Sequence, residues 1–169
     1  VLSDISDLSI YGLGCAHNGG GISKEEYTFW SGSATAGTFL YVSDEEQKFN
    51  FFFGFFPDAT DDVAYFNGDD AIELFKNGSV IDVFGEISYS IPPIDLAWNY
   101  EDGWAYRDDD TGPDGSTFRI NHWSFSGCNA LDGETSNFTA ATPFPIGTYS
   151  SDAIAIDLIS FTATQHNNA

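Results

Sequence analysis

The amino-acid sequence predicts an all-β fold of the sandwich type. Apolar residues alternate with polar ones at a period of two in most of the ordered-looking segments. Turn-forming clusters separate these segments, and the chain contains 17 glycines. Amphipathic helical patterns of ten or more residues are not evident. Many short strands joined by loops are typical of two packed β-sheets.

The predicted strands are short, and they are rich in β-branched and aromatic residues. Segment 49–56 is rich in phenylalanine and stops before Pro57, so it is predicted to be a buried strand or a strand pair. Between residues 87 and 114 the chain reads as irregular, because Pro92 and Pro93 cannot occupy a strand interior. The other predicted strands are 8–13, 26–30, 38–42, 116–120, 122–125 and 152–161.

A β-hairpin is the clearest local prediction. Residues 70–76 and 79–85 alternate, and Asn77-Gly78 lies between them. Asn-Gly supplies the positive φ angles that a two-residue hairpin turn requires. We expect Ala71, Glu73 and Phe75 to share one face of this hairpin.

The charge of the chain excludes several classes of partner. Five basic residues against 26 acidic residues give a formal net charge of −21. Such a surface repels phosphate backbones, so direct nucleic-acid binding is not expected. No stretch approaches the ~18 apolar residues of a membrane-spanning helix, so membrane insertion is not expected either. Divalent cations would instead be attracted.

The two cysteines are predicted to form one long-range disulfide. Cys15 and Cys128 both lie in segments rich in Gly and Asn. Closing a loop of more than 100 residues stabilises a fold by roughly 4–5 kcal/mol in the chain-entropy model. The alternative is two unrelated thiols.

A cluster of acidic residues is the candidate metal site. Calcium takes six to eight oxygen ligands, often from flexible loops. The turn 112–115 could help to wrap an ion, although the spacing does not match an EF-hand. The alternative is a solvated acidic surface. The candidate calcium ligands are Asp102, Asp108, Asp109, Asp110 and Asp114.

Other motifs carry weaker predictions. Trp98 and Trp104 could form a sugar-stacking platform, or they could fill a core beneath a long loop. Two glycosylation sequons begin at Asn77 and Asn137, of which Asn137 is the better acceptor because it lies in a loop. The histidines do not have the spacing of a zinc motif, so no structural zinc is expected. They are His17, His122 and His166.

Residues 67–86 resemble the central hairpin of the lamin-tail domain, in the version found in secreted bacterial proteins. That segment reads NGDDAIELFKNGSVIDVFGE. Supporting matches occur at 8–11, 36–42, 104–107, 123–127 and 129–133, so the resemblance covers residues 1–149. It implies an immunoglobulin-like β-sandwich without a catalytic centre of its own, acting as a structural or interaction module. Asp69 and Asp70 match the family motif, where a turn-stabilising role is expected.

One departure from the family pattern carries the functional hypothesis. The chain starts at Val1, where the family already has one or two strands, so residues 1–149 are expected to lack their first strands. Residues 150–169 are expected to form an extension with a spare strand at 152–161. A sandwich without a strand exposes unpaired edges, and a spare strand can be donated to a neighbouring copy. Its assembly residues are Ile154, Ile156, Leu158 and Phe161.

The sequence therefore predicts a secreted or cell-surface protein that is not an enzyme. Strand donation would build a fibre or a surface layer by self-association. The alternative is an accessory module that binds a glycan or another polymer for a secreted nuclease or hydrolase. Calcium is the possible cofactor.

Overall fold

The computed structural model describes residues 1–21, 24–91 and 95–151, and within these ranges the protein is β-rich with one α-helix. None of the helices found there is long and apolar enough to cross a membrane. The strands are β1 Tyr11–Ala16, β2 Tyr27–Thr28, β3 Val42–Ser43, β4 Ala59–Thr60, β5 Ala71–Lys76, β6 Ser79–Phe84, β7 Ala105–Arg107 and β8 Trp123–Phe125. Helix α1 spans Glu46–Phe53, and short 3-10 turns occupy Leu8–Ile10, His17–Gly19, Asp62–Ala64 and Ile120–His122.

The largest sheet has the order β2-β1-β5-β6, with antiparallel pairing throughout. Strand β1 pairs along its whole length with β5, placing Leu13 opposite Leu74 and Cys15 opposite Ile72. Directly opposed residues share a face of a sheet. One face of this sheet therefore carries both an apolar row and Cys15.

The predicted hairpin is confirmed. Strands β5 and β6 are joined by Asn77 and Gly78, which have φ angles of +50° and +71°. Both angles are those of the tight turn that Asn-Gly favours. Ala71, Glu73 and Phe75 are all buried, as expected for one shared face.

Two smaller sheets complete the described strands. Strands β3 and β4 pair in parallel, and α1 lies in the connection between them. A parallel pair needs such a crossover because a tight turn cannot join its strands. Strands β7 and β8 form an antiparallel pair with Arg107 opposite Trp123.

The prediction of a strand over residues 49–56 was wrong, because most of that segment belongs to α1. The polar residues 45–48 precede the aromatic run, and Gly54 ends the helix with φ +83° while its N–H donates to the carbonyl of Asn50. Three phenylalanines of the helix, Phe49, Phe52 and Phe53, follow a spacing of i, i+3 and i+4, which is the helical period. The helical signal was present but was outweighed by aromatic composition.

Among the residues that the structure describes, two clusters of buried apolar side chains form the core. The first contains Phe84, Leu96, Trp98 and Tyr100, and the rings of Phe118, Trp123 and Phe125 pack around it. The second contains Leu8, Phe29 and Ala34, with Leu13, Leu40 and Val42 against it. The first cluster is mainly aromatic and lies near β7 and β8, whereas the second mixes aliphatic and aromatic side chains and lies near β1 and β2.

The expected β-rich class is confirmed, but the sheets are small and the immunoglobulin-like sandwich stays a prediction. Only parts of the predicted strands 8–13 and 38–42 are extended, whereas 123–125 matches its prediction. Residues 116–120 are not assigned to a strand, and β7 was not predicted. The predicted strand 152–161 lies outside the described residues.

Candidate functional site

An apolar groove lies against the face of the central sheet that carries Leu13 and Leu74. Its volume is about 640 Å³. Ile72 and Ile81 extend the same lining along β5 and β6, and Phe29 adds aromatic surface from the second core cluster. Exposed apolar surface of this kind marks a site where another apolar group can bind.

Both ends of the described chain reach this groove. Val1 lines it, and so does Tyr149, which lies two residues before residue 151. The Tyr149 hydroxyl donates to the carbonyl of Thr111 at 2.7 Å, which fixes the side chain at the groove wall. The last described residue, residue 151, is thus two positions along the chain from a side chain of the groove wall.

A charged cluster at the edge of the groove, here called the arginine network, consists of Arg107, Asp82, Asp114, Arg119 and His122. The Arg107 guanidinium donates to both carboxylate oxygens of Asp82, at 2.5 and 2.6 Å, and to Asp114 at 3.0 Å. Its side chain is only 12% exposed, and the guanidinium stacks on the Trp123 ring at 4.4 Å. His122 Nδ1 lies 2.8 Å from Asp114, and Arg119 approaches the same carboxylate.

The arginine network bears on the calcium prediction at Asp114, one of the five predicted ligands. Burial alone would raise the pKa of Asp114, but hydrogen bonds from Arg107 and His122 outweigh it and lower that pKa below its usual value. A carboxylate that is already neutralised by cationic side chains is a poor calcium ligand. Asp108 accepts from Ser124, and Asp109 accepts from the backbone N–H of Ser150. Within the described ranges, the predicted calcium ligands do not form a metal-holding group.

The family-like motif at 67–70 builds a second polar site. Gly68 has φ +107°, and a Cβ there would lie 2.4 Å from the backbone of Glu101. This glycine therefore allows the segment around Tyr100 to pack directly on the loop. Asp69 and Asp70 are 6% and 2% exposed, so the loop buries two adjacent carboxylates.

Hydrogen bonds from the neighbouring backbone hold these carboxylates. Asp70 accepts from the N–H of Asn18 at 2.7 Å and from the N–H of Asn67 at 3.2 Å. The Asn67 amide, with its nitrogen towards the carboxylates, donates to Asp69 at 2.6 Å and to Asp70 at 3.2 Å. The Tyr89 hydroxyl donates to Asp69 at 2.6 Å, and burial together with this bond raises the pKa of Tyr89. The expected turn-stabilising role fits these contacts.

Cys15, His17 and Asp70 converge in front of this loop and are here called the cysteine cluster. The Cys15 sulfur lies 3.7 Å from His17 Nδ1, which in turn lies 3.4 Å from Asp70 Oδ2. One ligand atom from each residue fits within 4.8 Å of the others. A cavity of about 240 Å³ borders the cluster, with Tyr65 and Phe66 in its wall.

The cysteine cluster is not arranged as a nucleophilic triad. In a triad the two ring nitrogens of histidine face different partners, whereas here the thiol and the carboxylate both face Nδ1. Burial, and then the negative charges of Asp70 and Glu26, raise the pKa of Cys15 to about 12. A reactive cysteine needs the opposite shift, because the thiolate is the nucleophile.

The predicted disulfide between Cys15 and Cys128 was wrong, because both cysteines are free. Cys15 is buried on β1 against His17, whereas Cys128 is exposed in a loop with its sulfur 3.7 Å from the carbonyl of Asn99. The two thiols belong to separate environments.

The predicted sugar-stacking pair, Trp98 and Trp104, does not form an exposed aromatic surface. Trp98 is 2% exposed and packs edge-on against Phe84 and Phe118, so it fills the core. Trp104 is partly buried, and its indole N–H donates to the carbonyl of Thr142. The core-filling alternative describes Trp98 correctly.

Of the two glycosylation sequons, the one predicted to be the better acceptor has the less accessible asparagine side chain. The side-chain nitrogen of Asn137 donates to the carbonyl of Phe144 at 3.0 Å, and its oxygen accepts from the N–H of the same residue. Glycosylation would have to break this pairing. Asn77 is exposed at the hairpin turn and is the accessible acceptor.

The cysteine cluster was not predicted as a group. Its signal was the alternation of Cys15 and His17 at positions i and i+2, which places both side chains on one face of an extended chain. Asp70 joins them only through the pairing of β1 with β5, and the register of that pairing cannot be read from spacing. The predicted assembly residues Ile154, Ile156, Leu158 and Phe161 lie outside the described residues.

Comparisons with protein-family models, with curated proteins and with solved structures found no match to this chain.

Proposed function

We propose that this protein is a non-catalytic extracellular interaction module that associates with copies of itself. In this proposal the described residues form an immunoglobulin-like sandwich with an apolar groove along its central sheet. The segment 152–161 of one copy docks in the groove of the next. Successive head-to-tail contacts of this kind build a fibre or a layer, because they need not close.

The apolar groove is the observation that carries the proposal. Its lining is contributed mainly by aliphatic side chains such as Leu13, Leu74 and Ile81. The charged residues within it, Asp82 and Arg107, already neutralise each other. A groove of this composition favours an apolar strand over a polar substrate.

The position of Tyr149 supports the choice of occupant. Eighteen residues follow residue 151, and an extended chain of that length spans about 60 Å. A segment of that reach can leave the side of one groove and enter another. Its sequence, DAIAIDLISF, carries the apolar side chains that such a groove would bury.

Sedimentation velocity tests the proposal with the full chain and with a chain lacking residues 152–169. The full chain is expected to form large, polydisperse species, and the shortened chain a single small one. Leu74→Gln, which places an amide in the groove, should also prevent assembly. Phe51→Ser is the matched control, because Phe51 is 76% exposed and does not line the groove.

A single species of 18.4 kDa for the full chain would contradict self-association. If the shortened chain were then less stable to heat, the segment would be docking in its own groove, which also contradicts the proposal. If assembly survived the deletion, another surface would be responsible.

A further inference from the structure

We propose that Cys15, His17 and Asp70 bind a zinc ion. The proposal is independent of the apolar groove and of self-association. It rests on three different ligand types that meet around one point at the end of β1.

The two distances from His17 Nδ1 to its neighbouring ligand atoms match those of a tetrahedral zinc site, and the sulfur and the carboxylate oxygen lie within 4.8 Å of each other. Zinc binds sulfur at about 2.3 Å, imidazole nitrogen at about 2.0–2.1 Å and carboxylate oxygen at about 2.0–2.2 Å. At tetrahedral angles these bonds separate the sulfur from the nitrogen by about 3.6 Å, and the nitrogen from the oxygen by about 3.4 Å. The observed separations are 3.7 Å and 3.4 Å.

The direction of the histidine ring also favours an ion. Cys15 and Asp70 both face Nδ1 of His17, and a single N–H shared between the two would leave at least one of them with a long, weak hydrogen bond. A cation between the three atoms accepts the lone pair of Nδ1, the sulfur and the carboxylate together.

The outer contacts hold the ligands in this arrangement. Backbone N–H groups of Asn18 and Asn67 fix the Asp70 carboxylate from the protein side. Glu26 accepts from the backbone N–H of Cys15 at 3.1 Å, which anchors β1 and places another negative charge nearby. Partners of this kind orient ligands in metal sites.

The ligand set selects zinc over calcium and magnesium. Calcium and magnesium take oxygen ligands, whereas a thiolate with an imidazole suits zinc. On binding, the Cys15 S–H bond breaks, a sulfur–zinc bond forms, and the proton passes to the solvent. With three protein ligands the fourth position stays open towards the cavity lined by Tyr65 and Phe66, where water or a ligand oxygen would complete the coordination.

Cobalt substitution gives a direct test on the full chain. Cobalt(II) bound to a thiolate produces an intense near-ultraviolet charge-transfer band, which oxygen ligands do not produce. We expect this band in the wild type, in an excess of magnesium that occupies acidic surface sites, and we expect zinc to abolish it. Cys15→Ser should remove it, whereas Cys128→Ser should leave it unchanged.

Zinc titration calorimetry supplies the affinities. His17→Gln and Asp70→Asn should each weaken zinc binding by about a hundredfold or more, since each removes a ligand. His17→Gln is the more secure variant, because the His17 side chain is 49% exposed and its replacement does not disturb the core. Its fold can be checked by circular dichroism.

Zinc should also raise the melting temperature of the wild type but not of His17→Gln, because only a folded site binds. A cobalt band that survives in Cys15→Ser, or a zinc affinity unchanged in folded His17→Gln, would overturn the proposal. Absence of the band in the wild type would do the same.

Discussion

The arginine network and the cysteine cluster both place a carboxylate of low exposure beside a histidine, but they balance its charge differently. Asp114 lies against two arginines and His122. Asp70 lies against His17 and backbone N–H groups, and no lysine or arginine of the described ranges pairs with it. A buried carboxylate is costly unless a partner compensates for its charge. Side chains of the protein therefore balance the charge of Asp114, whereas the charge of Asp70 favours the binding of an added cation.

The largest expected effect comes from breaking the complete site. Arg107→Met should lower the free energy of unfolding by about 3–5 kcal/mol, because it leaves Asp82 and Asp114 without their main partner. Chemical denaturation measures the loss. Arg119→Met is the matched control, since Arg119 is 55% exposed and its loss should cost less than about 1 kcal/mol. Equal losses for the two variants would show that the burial of Arg107 does not matter.

A second substitution acts on the support of the cysteine cluster. Gly68→Ala should cost about 2–3 kcal/mol, because the residue has φ +107° and the new Cβ would collide with the backbone of Glu101. Gly115→Ala separates the effect of the backbone angle from the effect of the collision. The φ angle of Gly115 is +67°, but nothing lies within 4 Å of the added Cβ. Thermal denaturation of both variants should show the larger loss for Gly68. A larger loss at Gly115 would contradict the close approach at Gly68.

The charge of Asp70 gives a smaller effect. Asp70→Asn keeps one oxygen, which can accept from the N–H of Asn18 or from that of Asn67 but not from both, because the two groups donate to different oxygens of the carboxylate. The metal-free protein should therefore lose about 1–2 kcal/mol. The same variant should gain no stability from added zinc. Denaturation with and without zinc measures both quantities. A loss as large as that of Arg107→Met would mean that the two sites are equally dependent on charge.

The smallest effect concerns pH. Because the pKa of Asp114 is lowered in the folded state, Asp114 takes up a proton at a higher pH in the unfolded chain than in the folded protein. Its contribution to stability is present above the unfolded pKa, near 3.8, and is lost as the pH falls through the folded value. The stability difference between the wild type and Asp114→Asn should therefore shrink below about pH 4. Asp132→Asn, at an exposed position, is the control for the removal of one negative charge.

Local features of the fold were predictable from the sequence, and distant pairings were not. The hairpin at residues 71–84 was predicted because the Asn77-Gly78 turn specifies its own geometry. Helix α1 was missed because its phenylalanines fit both a buried strand and a helix. The cysteine cluster required the register of β1 on β5, which is set by packing across the sheet rather than by any turn. The disulfide failed for the same reason, since Cys15 faces β5 partners that spacing does not reveal.

The pairing of β1 with β5 also has a kinetic consequence. Asn18 and Asp70 are 52 positions apart, whereas the β5–β6 hairpin closes through a two-residue turn. Long-range pairings carry a larger loop-closure cost and form late. The three atoms of the cysteine cluster meet only once that pairing is made. A metal held there would act on a late step, slowing the unfolding reaction while leaving the folding rate nearly unchanged. The cluster would thus extend the lifetime of the native state rather than hasten its formation.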